Sequence, residues 1–179
     1  MNLQMLEKLT HYDHSQKVAQ ISGIIAQSAG YSGKEVNIIE QAALLHDVGK
    51  NLIPEVILQK QSALTPEEYA IVKRHTTLGH RQIDDVAQIL KAAKIVTETH
   101  HERPDGKGYL GLAGNEIHQY SRIVAVADVF DAIFSARCYK PSWAITDVLA
   151  YMEQNAGTQF DREYVSLLLE RIENVLEIY

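Results

Sequence analysis

Cysteine is nearly missing from this sequence, with Cys138 the one thiol in 179 residues. No intramolecular disulfide can form, and a reducing, cytosolic setting is the natural reading. An excess of positive charge is also lacking. There are 17 lysines and arginines against 23 acidic residues, a formal net charge of −6, so no sequence-wide positive field exists to hold long nucleic acid or an anionic membrane. Any phosphate-bearing partner must be met by a local basic patch. The N-terminal stretch sets His11, Asp13, His14 and Lys17 among its apolar positions, which matches neither a signal peptide nor a spanning helix. A cytoplasmic protein is expected. No run of alternating strand residues and no break in composition occurs, which predicts one all-α domain over residues 1–179, long enough to bury a core without disulfides or an obligatory partner.

What the sequence does contain is helical periodicity with recognisable ends. Val18, Ile21, Ile24 and Ile25 predict a first helix over Tyr12–Ala29 that stops at Gly30. Ser32 and Glu35 form a capping-box pair opening a second helix, carried by Ile38, Ile39, Ala42 and Leu45 to an end near Gly49. That helix delivers His46 and Asp47 at its C-terminal end. Thr65-Pro66-Glu67-Glu68 starts a third, on which Tyr69, Val72 and His75 ride. A fourth runs from Val86 into His100 and His101. Residues Glu102 to Tyr120 hold Pro104 and four glycines, at 106, 108, 111 and 114, so a long loop is expected, of the kind that serves as a binding loop or lid. Helices then follow over Ser121–Arg137 and Ala144–Ala156, and Asp161 caps a last one through Ile178.

The chemistry-bearing residues are the dyads His46-Asp47 and His100-His101 together with His14, His75 and Asp128, all on predicted helices that face a common core. Seven such ligands suffice for two cations. Imidazole mixed with carboxylate suits divalent iron, manganese, zinc or nickel, whereas an all-oxygen set would favour magnesium or calcium. Successive helical residues diverge by about 100°, so each dyad can reach toward two different ions, with Asp47 suited to bridge them. Two ions about 3.5–4 Å apart can lower the pKa of a shared water and neutralise a phosphate's oxygens, and no nucleophilic serine or cysteine is then required.

His46-Asp47-Val48-Gly49-Lys50 and the run from His100-His101-Glu102 to Gly106-Lys107-Gly108-Tyr109 resemble the two signatures of HD-GYP domains. The resemblance extends from Asp13-His14-Ser15 through Asp128-Val129-Phe130-Asp131 and Ser135 to Lys140, as far as Gly157-Thr158-Gln159-Phe160-Asp161. It implies an all-helical HD-superfamily bundle, a centre of two divalent metals with iron or manganese first and zinc or nickel second, and hydrolysis of cyclic di-GMP to linear pGpG or GMP by a hydroxide that bridges the metals. Carried over residue by residue, it implies His14, His46, Asp47, His75, His100, His101 and Asp128 as ligands, Lys50 at the phosphate, and Arg137 and Lys140 at the nucleotide. Three cations near such a site would also give an acidic protein the local positive potential its substrate needs, although Arg137 and Lys140 equally suit a helix C-terminus. Asp131, one turn after Asp128, either touches substrate or its water, orients a ligand, or pairs with a cation. Tyr109 either stacks on a base or packs on the core.

Two departures from the family pattern stand out. Leu110 replaces the motif's proline, removing the stiffening of a fixed φ, and Thr10 stands where members with three metals have glutamate, so two metals are expected. The alternatives are a phosphohydrolase for other nucleotides or cyclic dinucleotides, and a catalytically silent module that senses the dinucleotide or docks a protein through the Gly106–Gly114 loop. Retention of the whole ligand set speaks against silence. Family members usually carry a sensory or receiver domain ahead of this unit. Here His14 arrives almost at once, so regulation is expected from elsewhere, or the chain is a fragment.

Overall fold

The computed structural model describes residues 12–60, 62–84, 86–135 and 143–179. Its elements are α1 (Tyr12–Ser28), α2 (Gly33–Leu44), a 3₁₀ helix (Val48–Leu52), α3 (Glu55–Leu58), α4 (Pro66–Lys73), α5 (His75–Gln82), α6 (Gln88–Thr99), a second 3₁₀ helix (Gly114–Glu116), α7 (Gln119–Phe134), α8 (Ile145–Gln154), α9 (Arg162–Glu170) and α10 (Ile172–Leu176). No strand occurs among the described residues, so the all-α expectation holds. No helix among them is long and apolar enough to cross a membrane.

Local chemistry explains the helix starts. Ser32 accepts from the Glu35 amide while the Glu35 carboxylate accepts from the Ser32 amide, and Thr65 with Glu68 repeats the reciprocal box with Pro66 behind it. Asp161 accepts from the Glu163 amide at the head of α9. At the other end of α1, Gly30 takes φ +83° and Tyr31 N–H closes back on Ala26 at 3.1 Å, a left-handed stop that costs glycine least.

Four helices make the centre. α1 packs on α2 and α7, α2 on α6, and α6 on α7. Their apolar faces meet through Val18, Ile21 and Ile25 of α1, Ile39 of α2, Val96 of α6 and Phe130 of α7, all fully buried. Each such side chain contributes about 1.5–3 kcal/mol on burial. α7 is buried along most of its length, and so carries Asp128 and Asp131 into the interior.

Several boundaries differ from the sequence expectation. α2 stops at Leu44, and His46 and Asp47 occupy the turn leading into the 3₁₀ helix. Gly49 is not a helix stop. A Cβ there would lie 1.9 Å from the His75 carbonyl oxygen, so glycine allows this turn to lie directly against the start of α5. The expected helix through His75 breaks at Arg74, and His75 opens α5. There His75 Nδ1, Thr76 Oγ and Thr77 Oγ donate to the carbonyls of Val72, Lys73 and Arg74. Such bonds to carbonyls three residues back compete with helix continuation. α6 begins at Gln88 rather than Val86, α7 begins at Gln119, and the expected last helix is divided at Arg171.

Candidate metal centre

The seven residues singled out by sequence come from five separate segments and meet in one place. Asp47, His75, His100 and His101 form one group, and His14, His46 and Asp128 a second, each with its ligand atoms within 4.8 Å of one another. His46 and Asp47 therefore divide between the groups as their divergence on the backbone suggests. His100 and His101 do not, since both fall in the first group with rings 4.0 Å apart. Asp47 faces both groups. Its Oδ1 lies 3.3 Å from His75 Nε2 and 3.7 Å from His100 Nε2, while its Oδ2 lies 3.2 Å from His46 Nε2. Asp128 Oδ1 stands 3.1 Å from His14 Nε2 and 3.8 Å from His46 Nε2.

The imidazoles are held so that one nitrogen is used and the other is offered. His46 Nδ1 donates to the Ala43 carbonyl at 2.7 Å, His75 Nδ1 to Val72 at 2.7 Å, and His100 Nδ1 to Val96 at 3.0 Å. Their Nε2 atoms and Asp47 Oδ1 are buried without a hydrogen-bond partner. A buried polar atom left unpaired is costly, and several converging on one point are accounted for by a cation at that point. The donor set, imidazole nitrogen with carboxylate oxygen, fits a divalent transition metal. Donation of the second ring nitrogen to a carbonyl is how ligating histidines are oriented.

Electrostatics fit the same reading. Burial opposes the charge on Asp47, but Lys50, His46 and His75 more than offset it and hold the carboxyl well below its ordinary range. Asp128 behaves alike through His14 and His46. Burial pushes His100 far down, and brings His101 to about 4, so both rings are neutral at neutral pH with a lone pair available. His14 differs. Burial lowers its basicity, yet the bonds and charges of Asp128 and Asp131 outweigh burial and raise it to about 9.

Around this centre lie Lys50, Asp131 and Tyr109, among the residues expected at the substrate. Lys50 Nζ sits 2.5 Å from Asp47 Oδ2 and its side chain is part-buried. Asp131 is turned inward and is 1% exposed, with Oδ2 2.5 Å from His14 Nδ1 and Oδ1 accepting from Ser135 and Tyr179. Both carboxylate oxygens are thus engaged by protein groups, a geometry that suits orientation of His14 better than contact with a substrate. Tyr109 packs on His101 at 4.6 Å between ring centroids, and Lys73 Nζ lies 5.0 Å from its ring and 4.9 Å from that of Tyr69. Arg137 and Lys140 lie outside the described residues, as does Thr10. A cleft of about 220 Å³ opens beside the centre between His100, His101, Arg103, Lys107, Tyr69 and Tyr109.

Glu102, the third member of the His-His-Glu run, carries no signal of its role in the sequence. It is buried, and its carboxylate accepts from the amides of Leu110 at 2.8 Å and Leu112 at 2.9 Å. A Cβ at Gly108 would lie 2.6 Å from Glu102 Cα, so glycine is needed for the loop to fold over this residue. The bond from Leu110 is one that proline, lacking an N–H, could not make. The loop is thus fastened by a carboxylate where the motif's proline would have stiffened it.

A helical fold with a histidine and aspartate cluster at its centre defines a protein built around a candidate divalent-metal site. The sequence profile of the HD domain matches residues 2–164, and the chain belongs to that family. It is 42% identical over 156 residues to the cyclic di-GMP phosphodiesterase response regulator RpfG of Xanthomonas campestris, covering 86% of this chain and 41% of that protein. It is 39% identical to a cyclic di-GMP phosphodiesterase of Thermotoga maritima, covering 99% of this chain and 50% of the relative. A 3'3'-cGAMP-specific phosphodiesterase 2 of Vibrio cholerae is 36% identical over 92% of this chain and 32% of its own length. The chain thus spans half or less of these relatives. Among solved structures, Bd1817, an HD-GYP-type protein of Bdellovibrio bacteriovorus, shares the fold with a TM-score of 0.75 at 20% identity, over 96% of this chain and 58% of that one.

Proposed function

We propose that this chain is a phosphodiesterase for cyclic dinucleotides, with cyclic di-GMP its substrate, working with two divalent metals, iron or manganese. The observation that carries the reading is the set of buried, unpartnered Nε2 atoms of His46, His75 and His100 aimed at the Asp47 carboxylate. One ion would be held by Asp47, His75, His100 and His101, the other by His14, His46 and Asp128, with Asp47 facing both. When bound, such ions acidify water to a nucleophile at neutral pH and offset the charge of a phosphodiester under attack.

The chain's own residues supply position and charge. Lys50 lies at the edge of the centre and gives the phosphate a cation. Arg103, paired in bidentate fashion with Asp105, and Lys107 line the adjoining cleft and place cationic groups beside the centre. Tyr109 and Tyr69 set aromatic faces beside it for a nucleobase. Asp131 keeps the His14 ring in place, and Glu102 keeps Tyr109 against His101.

The relatives named for cyclic di-GMP and the one named for 3'3'-cGAMP make base identity the open variable of the substrate. The experiment is incubation of anaerobically purified protein, loaded with iron or manganese, with each dinucleotide, followed by chromatography. Linear pGpG or GMP from cyclic di-GMP is expected, faster than turnover of 3'3'-cGAMP. No product from either substrate with any metal would contradict hydrolysis and leave a binding module.

A further inference from the structure

The histidines of the centre are not oriented alike. His46, His75 and His100 give Nδ1 to carbonyls three or four residues back on their own chain segment, a bond that no distant substitution removes. His14 instead meets a side chain, Asp131 of α7, with Nδ1 2.5 Å from Oδ2. That carboxylate is buried, and its other oxygen accepts from two hydroxyls, Ser135 Oγ at 2.7 Å and Tyr179 Oη at 2.7 Å. Tyr179 follows α10 and is 44% exposed, with its ring laid against neighbouring side chains. Its ring stands edge-on to Phe134 at 4.7 Å, with Lys17 Nζ 5.0 Å from the ring centroid.

We infer that Tyr179 is a positioning residue for the second metal group, acting through Asp131 on His14. Two donors on one oxygen hold the Asp131 carboxylate against rotation, and its free oxygen then sets the plane of the His14 ring so that Nε2 faces Asp128 and His46. Nothing in this chain of bonds touches Asp47, His75, His100 or His101, so the effect belongs to one group and spares the other. The inference rests on the reading of His14 as a ligand, and adds that a residue beyond the last helix, 48 positions after Asp131, tunes that site.

The test is manganese(II) titration of metal-free protein, followed by electron paramagnetic resonance, for wild type, Tyr179→Phe, Ser135→Ala, the double variant and His14→Ala. Phenylalanine keeps the ring packing and removes only the hydroxyl, so the metal-free melting temperature should fall by no more than the few degrees one such hydrogen bond is worth. One class of manganese site should weaken about tenfold in Tyr179→Phe, at the low end of what loss of an outer hydrogen bond does to a metal site, and further in the double variant, while the other class is unchanged. Equal weakening of both classes, or of neither, would overturn the inference. Loss of one class in His14→Ala with none in Tyr179→Phe overturns it alone, whereas two intact classes in His14→Ala overturn the ligand reading with it.

Discussion

An imidazole with a carboxylate on each nitrogen holds a proton firmly until a cation takes its place. His14 stands between Asp128 and Asp131 in this way, and a metal at Nε2 must displace that proton. Binding at this group is therefore expected to release a proton at neutral pH and to weaken as pH falls below about 9, measurable by calorimetry of metal binding in buffers of different ionisation enthalpy. The metal-free protein makes a second expectation. The folded state holds the His14 proton up to about 9 and the unfolded chain releases it near 6.5, so this stabilisation is complete below 6.5 and is lost as pH rises through 9. Urea unfolding of the metal-free wild type should show that decline, and His14→Gln should flatten it. At this scale the residue types of the candidate ligands were legible in the sequence. The partner of Asp131 was not, because its helical spacing from Asp128 fixes a face but not the side chain that α1 brings to it.

Most of the candidate ligands, those of α7 excepted, sit at or beside the ends of elements, and the ends were only partly legible. Capping boxes at Ser32 and Thr65 and the stop at Gly30 announce themselves within a few residues, because their chemistry is local. The break at Arg74 and the purpose of Gly49 are tertiary facts, set by side chains bonding backward and by the nearness of the His75 carbonyl. Gly49→Ala is expected to force those backbones apart and to cost about 1–3 kcal/mol or somewhat more, within the range of overpacking, and to weaken metal binding by moving His75. Thermal unfolding and metal titration of one sample check both. In the 102–118 loop, Glu102→Gln keeps the shape but leaves one acceptor oxygen for two amides, so one bond is lost and the other loses the charge that strengthens it. Hydrogen exchange at Leu110 and Leu112 should then quicken about tenfold, corresponding to roughly 1.4 kcal/mol of lost protection, with little change in α1.

For the whole molecule, the helical class followed from composition and periodicity, and the fold places four buried helices around the centre they serve. The core supports the site directly. Phe130 is fully buried between Asp128 and Asp131 on α7, and Phe130→Ala should destabilise by about 3–5 kcal/mol, lowering the melting temperature by about 10 °C. Metal should restore part of that loss by mass action, which a melting series with manganese would read. What no local pattern could reveal is the meeting of α1, the turn after α2, α5, α6 and α7 at one point, since that depends on how the helices stack. The most direct measurement is anomalous diffraction from crystals loaded with iron or manganese. Two peaks about 3.5–4 Å apart, one among His75, His100 and His101, the other among His14, His46 and Asp128, with Asp47 between them, are the predicted result. Peaks elsewhere, or none at these nitrogens, would contradict the account.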